Sequence, residues 1–297
     1  MKLMELKKNE YYEKAGKIAK EVVEYSRKII KKNMLLLEIA EKIESKILEL
    51  GGKLAFPVSL SIDDIAAHYT PRHDSEEKAF GLLKTDLGVH VKGFIADTAF
   101  TIDLENNEEN KKLIEASDKA LQEAIKLVEK QGKINEIGGK IHDTIVSLGF
   151  SPIRNLSGHE LGKYKVHAGL TIPNYNNGNE KDLEEGGFAI EPFSTNGQGI
   201  VYDGIPSSIY RFQERKAIRD SLARKIMDFI EEEYNELPFC ERWIFKKFGA
   251  LSPRSLRLME KEGIIYQYPQ LIEKEHGKVS QSEHTILISK DKVKVTT

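Results

Sequence analysis

At 297 residues the chain has room for one large domain, or one domain with a subdomain, and its 40% hydrophobic content can bury a sizeable core. Its 45 basic and 47 acidic residues leave a net charge of −2, which excludes a global field for holding nucleic acid or an anionic membrane. The single cysteine, Cys240, excludes an internal disulfide and reads as a small buried hydrophobe. No stretch approaches the ~18 apolar residues of a membrane span, and charges break up the N-terminal segment where a signal peptide would be apolar. The expectation is a soluble, cytoplasmic monomer with no membrane and no specific nucleic-acid partner.

Residues 11–33 place Ala15, Ile18, Ala19, Val22, Val23, Ile29 and Ile30 at helical spacing, predicting a helix with one buried face. A second helix runs from Leu36 to Leu50, with Ile39, Ile43 and Ile47 inward and Gly51-Gly52 as its stop. The texture then changes: residues 83–103 alternate and are rich in β-formers. His90-Val91-Lys92-Gly93 supplies a tight turn in which Gly93 can take positive φ, so this segment is a hairpin. Helices return at 109–130 and 134–148, the latter with Ile137, Ile141 and Ile145 on one stripe. Short strands are expected at 164–172, 187–193, 283–289 and 292–296. Residues 205–275 break this scheme. Ile218, Leu222, Ile226, Phe229 and Ile230 mark a long helix there. Pro253–Glu262 marks another, closed by Gly263 and followed by a strand-like run. The order of helices, strands, helices and strands predicts an α+β fold with an antiparallel sheet flanked by helices. The expected domains are 1–204 with 276–297, and a mostly helical, winged-helix-like insert at 205–275 that walls the active site.

Asp86 and Asp97 fall on the two arms of the hairpin, nearly opposite each other if the turn centres on Val91-Lys92. Opposed residues share a face, and two carboxylates there repel unless a cation lies between them. By itself the pair reads more readily as solvated or hydrogen-bonded. Three further islands sharpen it: His159 follows a glycine in NLSGHE, Glu191 sits within the apolar FAIEPF, and Glu283 opens SEHTILI. A Glu facing a core is costly unless paired or metal-bound. Four carboxylates and one neutral imidazole balance two divalent cations, and such oxygen-rich ligation suits Mn, Fe, Co or Zn. Two metals sharing a water lower its pKa enough to make a hydrolytic nucleophile near neutral pH.

In order along the chain, AFPVSLSIDDIAAHYTP (55–71), DLGVHVKGFIADTA (86–99), NLSGHE (155–160), YKVHAGLTIPN (164–174), AIEPF (189–193) and SEHTI (282–286) resemble the motif series of the methionine aminopeptidases. The helical insert before the last motif resembles the type 2 branch in its archaeal form. The resemblance implies a pita-bread fold, with two pseudo-symmetric halves around a site for two divalent cations (Co, Mn, Fe, Ni or Zn). It implies that Asp86 binds the first metal, that Asp97 and Glu283 bridge both, and that His159 and Glu191 bind the second. It further implies that His68 and His167 contact the substrate, that Glu191 can move a proton to the leaving amine, and that Phe56, Phe193 and Tyr268 line a methionine pocket. The reaction it implies is removal of the N-terminal methionine from peptides and nascent chains, with transient ribosome association. Two features depart from the pattern: Thr85 replaces an apolar residue, and PRHDSEEKAFGLL lacks the usual Gly-Asp approach, both near Asp86. Proline dipeptidases share the ligand set, and non-catalytic binding proteins share the fold, so both stay open as alternatives. Serine- or cysteine-nucleophile hydrolysis has no supporting motif.

Overall fold

The computed structural model describes residues 2–290 and 292–297. Helix α1 (Lys2–Ile29) begins before the expected 11–33 and stops sooner, where the chain turns through Asn33 at φ 68°. Helix α2 (Leu36–Glu49) ends ahead of Gly51, whose left-handed φ of 80° breaks the helical path. Next come β1 (Lys53–Leu54), β2 (Ser59–Ile62) and β3 (Ile65–Ala67), then the long hairpin β4 (Leu82–Val91) and β5 (Phe94–Asp103). The first half of the fold is this hairpin with β1 and β2 beside β4, covered by α1. Its core joins Ile39, Ile43 and Ile47 of α2 to Leu83, Leu87 and Val89 of β4.

The second half repeats the plan. Helices α3 (Glu108–Glu129) and α4 (Ile134–Ser147) pack together; Asn107 caps α3 by accepting from the Glu109 and Asn110 amides. Strands β6 (Ser151–Pro152), β7 (Ser157–Leu161), β8 (Thr171–Pro173), β9 (Gly186–Ile190) and β10 (Phe193–Thr195) follow. Strand β11 (Val201–Phe212) then leads into α5 (Ser221–Glu233), β12 (Phe239–Cys240), α6 (Glu241–Phe248) and α7 (Ser252–Lys261). The chain returns through β13 (Ile265–Glu273), β14 (Val279–Gln281), β15 (His284–Ser289) and β16 (Lys292–Val295). One five-stranded sheet runs β16-β15-β9-β7-β8, and its apolar face meets α3 and α4. This is the α+β, pita-bread arrangement. Strands β11 and β13 pair with each other, and β13 also pairs with β3, so the limits expected at 205 and 275 fall inside and just after this sheet. Cys240 is buried.

Three sequence readings are corrected here. The hairpin turn is Lys92-Gly93, with φ of 55° and 88°, the two left-handed positions of a type I′ turn. This moves the axis by one residue, so Asp86 faces Ala99 and Asp97 faces Gly88. The two aspartates are therefore diagonal neighbours on one face, not opposed. The segment expected as a strand at 164–172 is instead mostly the loop between β7 and β8, joining β8 only at Thr171: Gly162 bridges Lys165, and Tyr164 and Gly169 take positive φ. The strand expected at 187–193 breaks at Glu191-Pro192, because proline brings no amide to the ladder.

Hydroxyl groups join the two halves. Thr285 donates to the Asp97 carbonyl and accepts from its amide, at 2.8 and 2.7 Å. Thr98 donates to the Glu283 carbonyl at 2.9 Å, and Thr101 to that of Gln281 at 2.7 Å. Lys84 is fully buried on β4 and donates to the carbonyls of Asp63 and Val279, both at 2.9 Å. A second buried charge ties the helical segment to α2. Arg242 grips Glu44 through two bonds of 2.6 and 2.9 Å, and Trp243 adds a third at 2.9 Å. Removing one member of such a pair strands the other in a dry setting. Arg242→Ala is therefore expected to lower stability by about 3–5 kcal/mol in denaturant unfolding.

Candidate active site

Five side chains converge from five segments. Asp86 lies in the middle of β4 and Asp97 on β5; His159 lies on β7, paired with Ala189 of β9. Glu191 occupies the proline-marked link from β9 to β10. Glu283 precedes β15 and bridges Ala99, the residue facing Asp86. The neighbours are small for a reason. Ala99 leaves room between two carboxylates, and a Cβ on Gly88, opposite Asp97, would run into the Phe56 ring. Donor atoms of Asp97, His159 and Glu283 all lie within 4.8 Å of one another. His159 Nε2 stands 3.5 Å from a Glu191 oxygen and 3.8 Å from one of Asp97. The Gln281 amide donates to Glu191 at 3.4 Å.

The electrostatics are those of an assembly short of positive charge. Asp86 Oδ1, Asp97 Oδ1, Glu283 Oε2 and His159 Nδ1 are buried without a hydrogen-bond partner among the described residues. Burial, opposed by Gln281, pushes the Asp86 carboxyl up to about 7. Burial first, and then repulsion from the other carboxylates, lifts Asp97, Glu191 and Glu283 well above the usual carboxylate range. His159 is pushed the other way, to about 3, by burial and then by His167. An imidazole held neutral beside oxygen donors with free lone pairs is a divalent-cation donor set, and these residues fit that group.

The cluster floors a cavity of about 380 Å³. His68, His167, Phe56, Phe193 and Tyr268 line the same cavity. His167 sits in the loop after β7, its ring 4.4 Å from that of His159. His68 adopts φ 65°, a left-handed conformation rare for a residue with a side chain. It is braced by the Pro269 carbonyl at 3.3 Å and by the Tyr268 ring at 5.3 Å. Burial, then His167, pushes His68 to about 4, so it is neutral at physiological pH.

Residues 10–289 match the metallopeptidase family M24. The chain belongs to metallopeptidase family M24. As a member it binds divalent metal, and the acidic cluster is the place suited to it. It is 44% identical to a methionine aminopeptidase of Methanocaldococcus jannaschii, over 99% of this chain and 100% of that one. It is 47% identical to a methionine aminopeptidase of Pyrococcus abyssi, over 95% and 97%. Among solved structures, a thermophilic Arx1 superposes with a TM-score of 0.81 at 15% identity, covering 96% of this chain and 89% of that one. A methionine aminopeptidase from Rickettsia prowazekii superposes with a TM-score of 0.68 at 19% identity, covering 96% and 95%. These two likenesses show the shared fold.

Several features of this M24 site were not foreseen. Ile209 of β11 and Leu271 of β13 also line the cavity, which makes the β11–β13 sheet one of its walls. Alternation along β11, with Ile209 lining this cavity and Ser208 and Tyr210 lining a neighbouring one, was the available signal. Gln281, between Asp86 and Glu191, was also missed. Thr85, the departure noted beside Asp86, points by strand alternation to the opposite face, and its buried hydroxyl is unpartnered. It does not enter the cavity.

Proposed function

We propose that this M24 peptidase, as a type 2 enzyme, releases the N-terminal methionine from peptides and nascent proteins by hydrolysing the first peptide bond. The observation that carries this reading is a cavity that unites an acidic, unpartnered cluster with an apolar wall. The methionine aminopeptidases to which the chain is 44–47% identical over nearly its whole length support it. Two divalent cations would be held, with Asp86 on one, His159 and Glu191 on the other, and Asp97 and Glu283 between them. When bound, such cations activate water and polarise a carbonyl.

The chain's own residues supply the rest. His68 and His167, uncharged near neutrality, donate hydrogen bonds to the scissile carbonyl and to the amide nitrogen. Glu191 carries a proton to the leaving amine. Phe56, Phe193 and Tyr268, with Ile209 and Leu271, give the flexible thioether side chain an apolar seat. The helical segment between β11 and β13 walls the cavity as a subdomain. The enzyme acts as a cytoplasmic monomer and meets nascent chains near the ribosome. No helix among the described residues is long and apolar enough to cross a membrane.

The test is reconstitution of metal-depleted protein with Co²⁺, Mn²⁺, Fe²⁺, Ni²⁺ or Zn²⁺, followed by assay on Met-Gly-X peptides and X-Pro dipeptides. Methionine release is expected. Cleavage of X-Pro alone would favour a proline dipeptidase, and silence with every ion would favour a binding protein. In the same assay His68→Ala and His167→Ala are each expected to lower kcat by about 10²–10³, the cost of a donor used in the transition state. Bound metal should be unchanged in both.

A further inference from the structure

A second cavity of about 410 Å³ adjoins the first. Val166, His167, Pro238 and Tyr268 line both, so the two share a wall at the histidine nearest the metal cluster's edge. Three charged residues line the second: Lys165, Arg211 and Glu236. Lys165 and Glu236 lie 3.8 Å apart and offset each other. Arg211 makes none of the ion pairs found among the described residues. Instead its guanidinium lies 5.3 Å over the ring of Tyr266, its partner across the β11–β13 ladder. Tyr266 meets Tyr268 edge-on at 5.4 Å, and Tyr268 meets His68 in the same way at 5.3 Å. A run of aromatic rings thus holds a cation in the second cavity, beside the wall it shares with the first. Its field reaches the site: Arg211 lowers His167, after burial does so, and opposes the rise that burial gives Tyr268.

With the substrate amine at the carboxylate cluster and its methionine against Phe56, the wall shared at His167 offers the remaining chain a path into the second cavity. The space beyond His167 is the second cavity. We propose that the residues after the cleaved bond run through this cavity, and that Arg211 selects peptides carrying a carboxylate there, beyond the second residue. The inference rests on the methionine-releasing reading and adds a downstream preference to it. The anion can come from an acidic side chain or from the C-terminus of a short peptide. Either gives a charge-assisted contact to a guanidinium already oriented by stacking.

The experiment compares wild type, Arg211→Gln and Arg211→Glu, each reconstituted with Co²⁺, on C-terminally amidated Met-Gly-Glu-Gly and Met-Gly-Lys-Gly. The readout is the ratio of kcat/KM for the two peptides within each protein, which cancels any general loss of fold or metal. Wild type is expected to favour the Glu peptide by about three- to tenfold at low salt, the scale of one exposed charge pair with some desolvation. The ratio should fall to about one in Arg211→Gln, invert in Arg211→Glu, and shrink in roughly 0.5 M salt. An effect of Arg211 confined to free-acid versions of the peptides assigns the C-terminal carboxylate as the anion. A ratio unchanged across the three proteins, for amidated and free-acid peptides alike, overturns the inference while leaving methionine release intact. Absence of methionine release by wild type overturns both.

Discussion

Replacing Glu283 by alanine is expected to remove bound metal and methionine release together. Activity should fall by more than the about 10²–10³ that a lost hydrogen-bond donor costs. Glu283 is 1% exposed and makes a backbone bridge to Ala99, so its carboxylate cannot swing away and be replaced by a neighbour. Its Oε2 has no partner among the described residues, and its donor atom is within 4.8 Å of those of Asp97 and His159. The truncated site keeps three carboxylates and loses the one that completes the cluster from the opposite side of the seam. Metal analysis by plasma mass spectrometry, run beside the peptide assay, reads both quantities. Full metal content with full turnover would remove Glu283 from the site.

The metal-free protein is expected to lose stability as pH rises above neutrality, and a divalent cation should reverse the loss. Asp86, Asp97, Glu191 and Glu283 have folded pKa values above those of an unfolded chain, with Asp86 at about 7. Groups raised in this way favour the folded state while protonated, below about pH 4, and that contribution disappears as pH climbs through the folded values. The buried histidines act in the opposite sense. His159 at about 3 and His68 at about 4 are lowered, so they cost stability on acidification below about pH 6.5 and contribute no slope above it. Above that point the four carboxylates pull stability down, and Lys84, whose buried amine is lowered to about 7, opposes them as a single group; the net slope is downward. Cation binding requires the same carboxylates in their charged form, so it grows stronger where the metal-free fold weakens. A cation at a hundred times its Kd adds about 2.7 kcal/mol. Thermal melts between roughly pH 6.5 and 8.5, with and without Mn²⁺, measure both trends. A flat or rising metal-free profile would contradict the burial of four carboxylates at one point.

Local pattern was enough to locate the long helices and the hairpin that carries both aspartates, whereas the histidines and aromatic residues around the cavity came from the resemblance of the motif series. Helices of period 3.6 with apolar stripes, such as α2 and α4, announce themselves, and so does a strand pair with glycine at its turn. What was illegible depended on partners far away in the chain. The two-residue turn at Lys92-Gly93 shifted the aspartates to diagonal positions, a difference that only the ladder reveals. His167 looked like a strand residue, but Gly162, Tyr164 and Gly169 together fold its segment into a loop. Nothing in the local pattern marks Lys84 as a buried charge. Its burial is possible because the carbonyls of Asp63 and Val279 arrive from distant segments, and burial pushes its amine down to about 7. The short strands β1, β2, β3, β6 and β10 are too brief for any periodicity to show; β1 and β2 pair with the long β4 and β3 with β13, whereas β6 and β10 sit in a sheet whose strands are all short.

The order in which the cluster's members occur along the chain has a consequence for the protein's own synthesis. Asp86, Asp97, His159 and Glu191 have all left the ribosome 92 residues before Glu283 does. At about 5–20 residues per second, that interval is roughly 5–18 s. During it the first hairpin can fold, but three like charges already translated have no fifth member to complete their enclosure. On the proposed assignment of Glu283, the growing polypeptide is expected to be inert toward neighbouring nascent chains until its final strands have emerged and bridged Ala99.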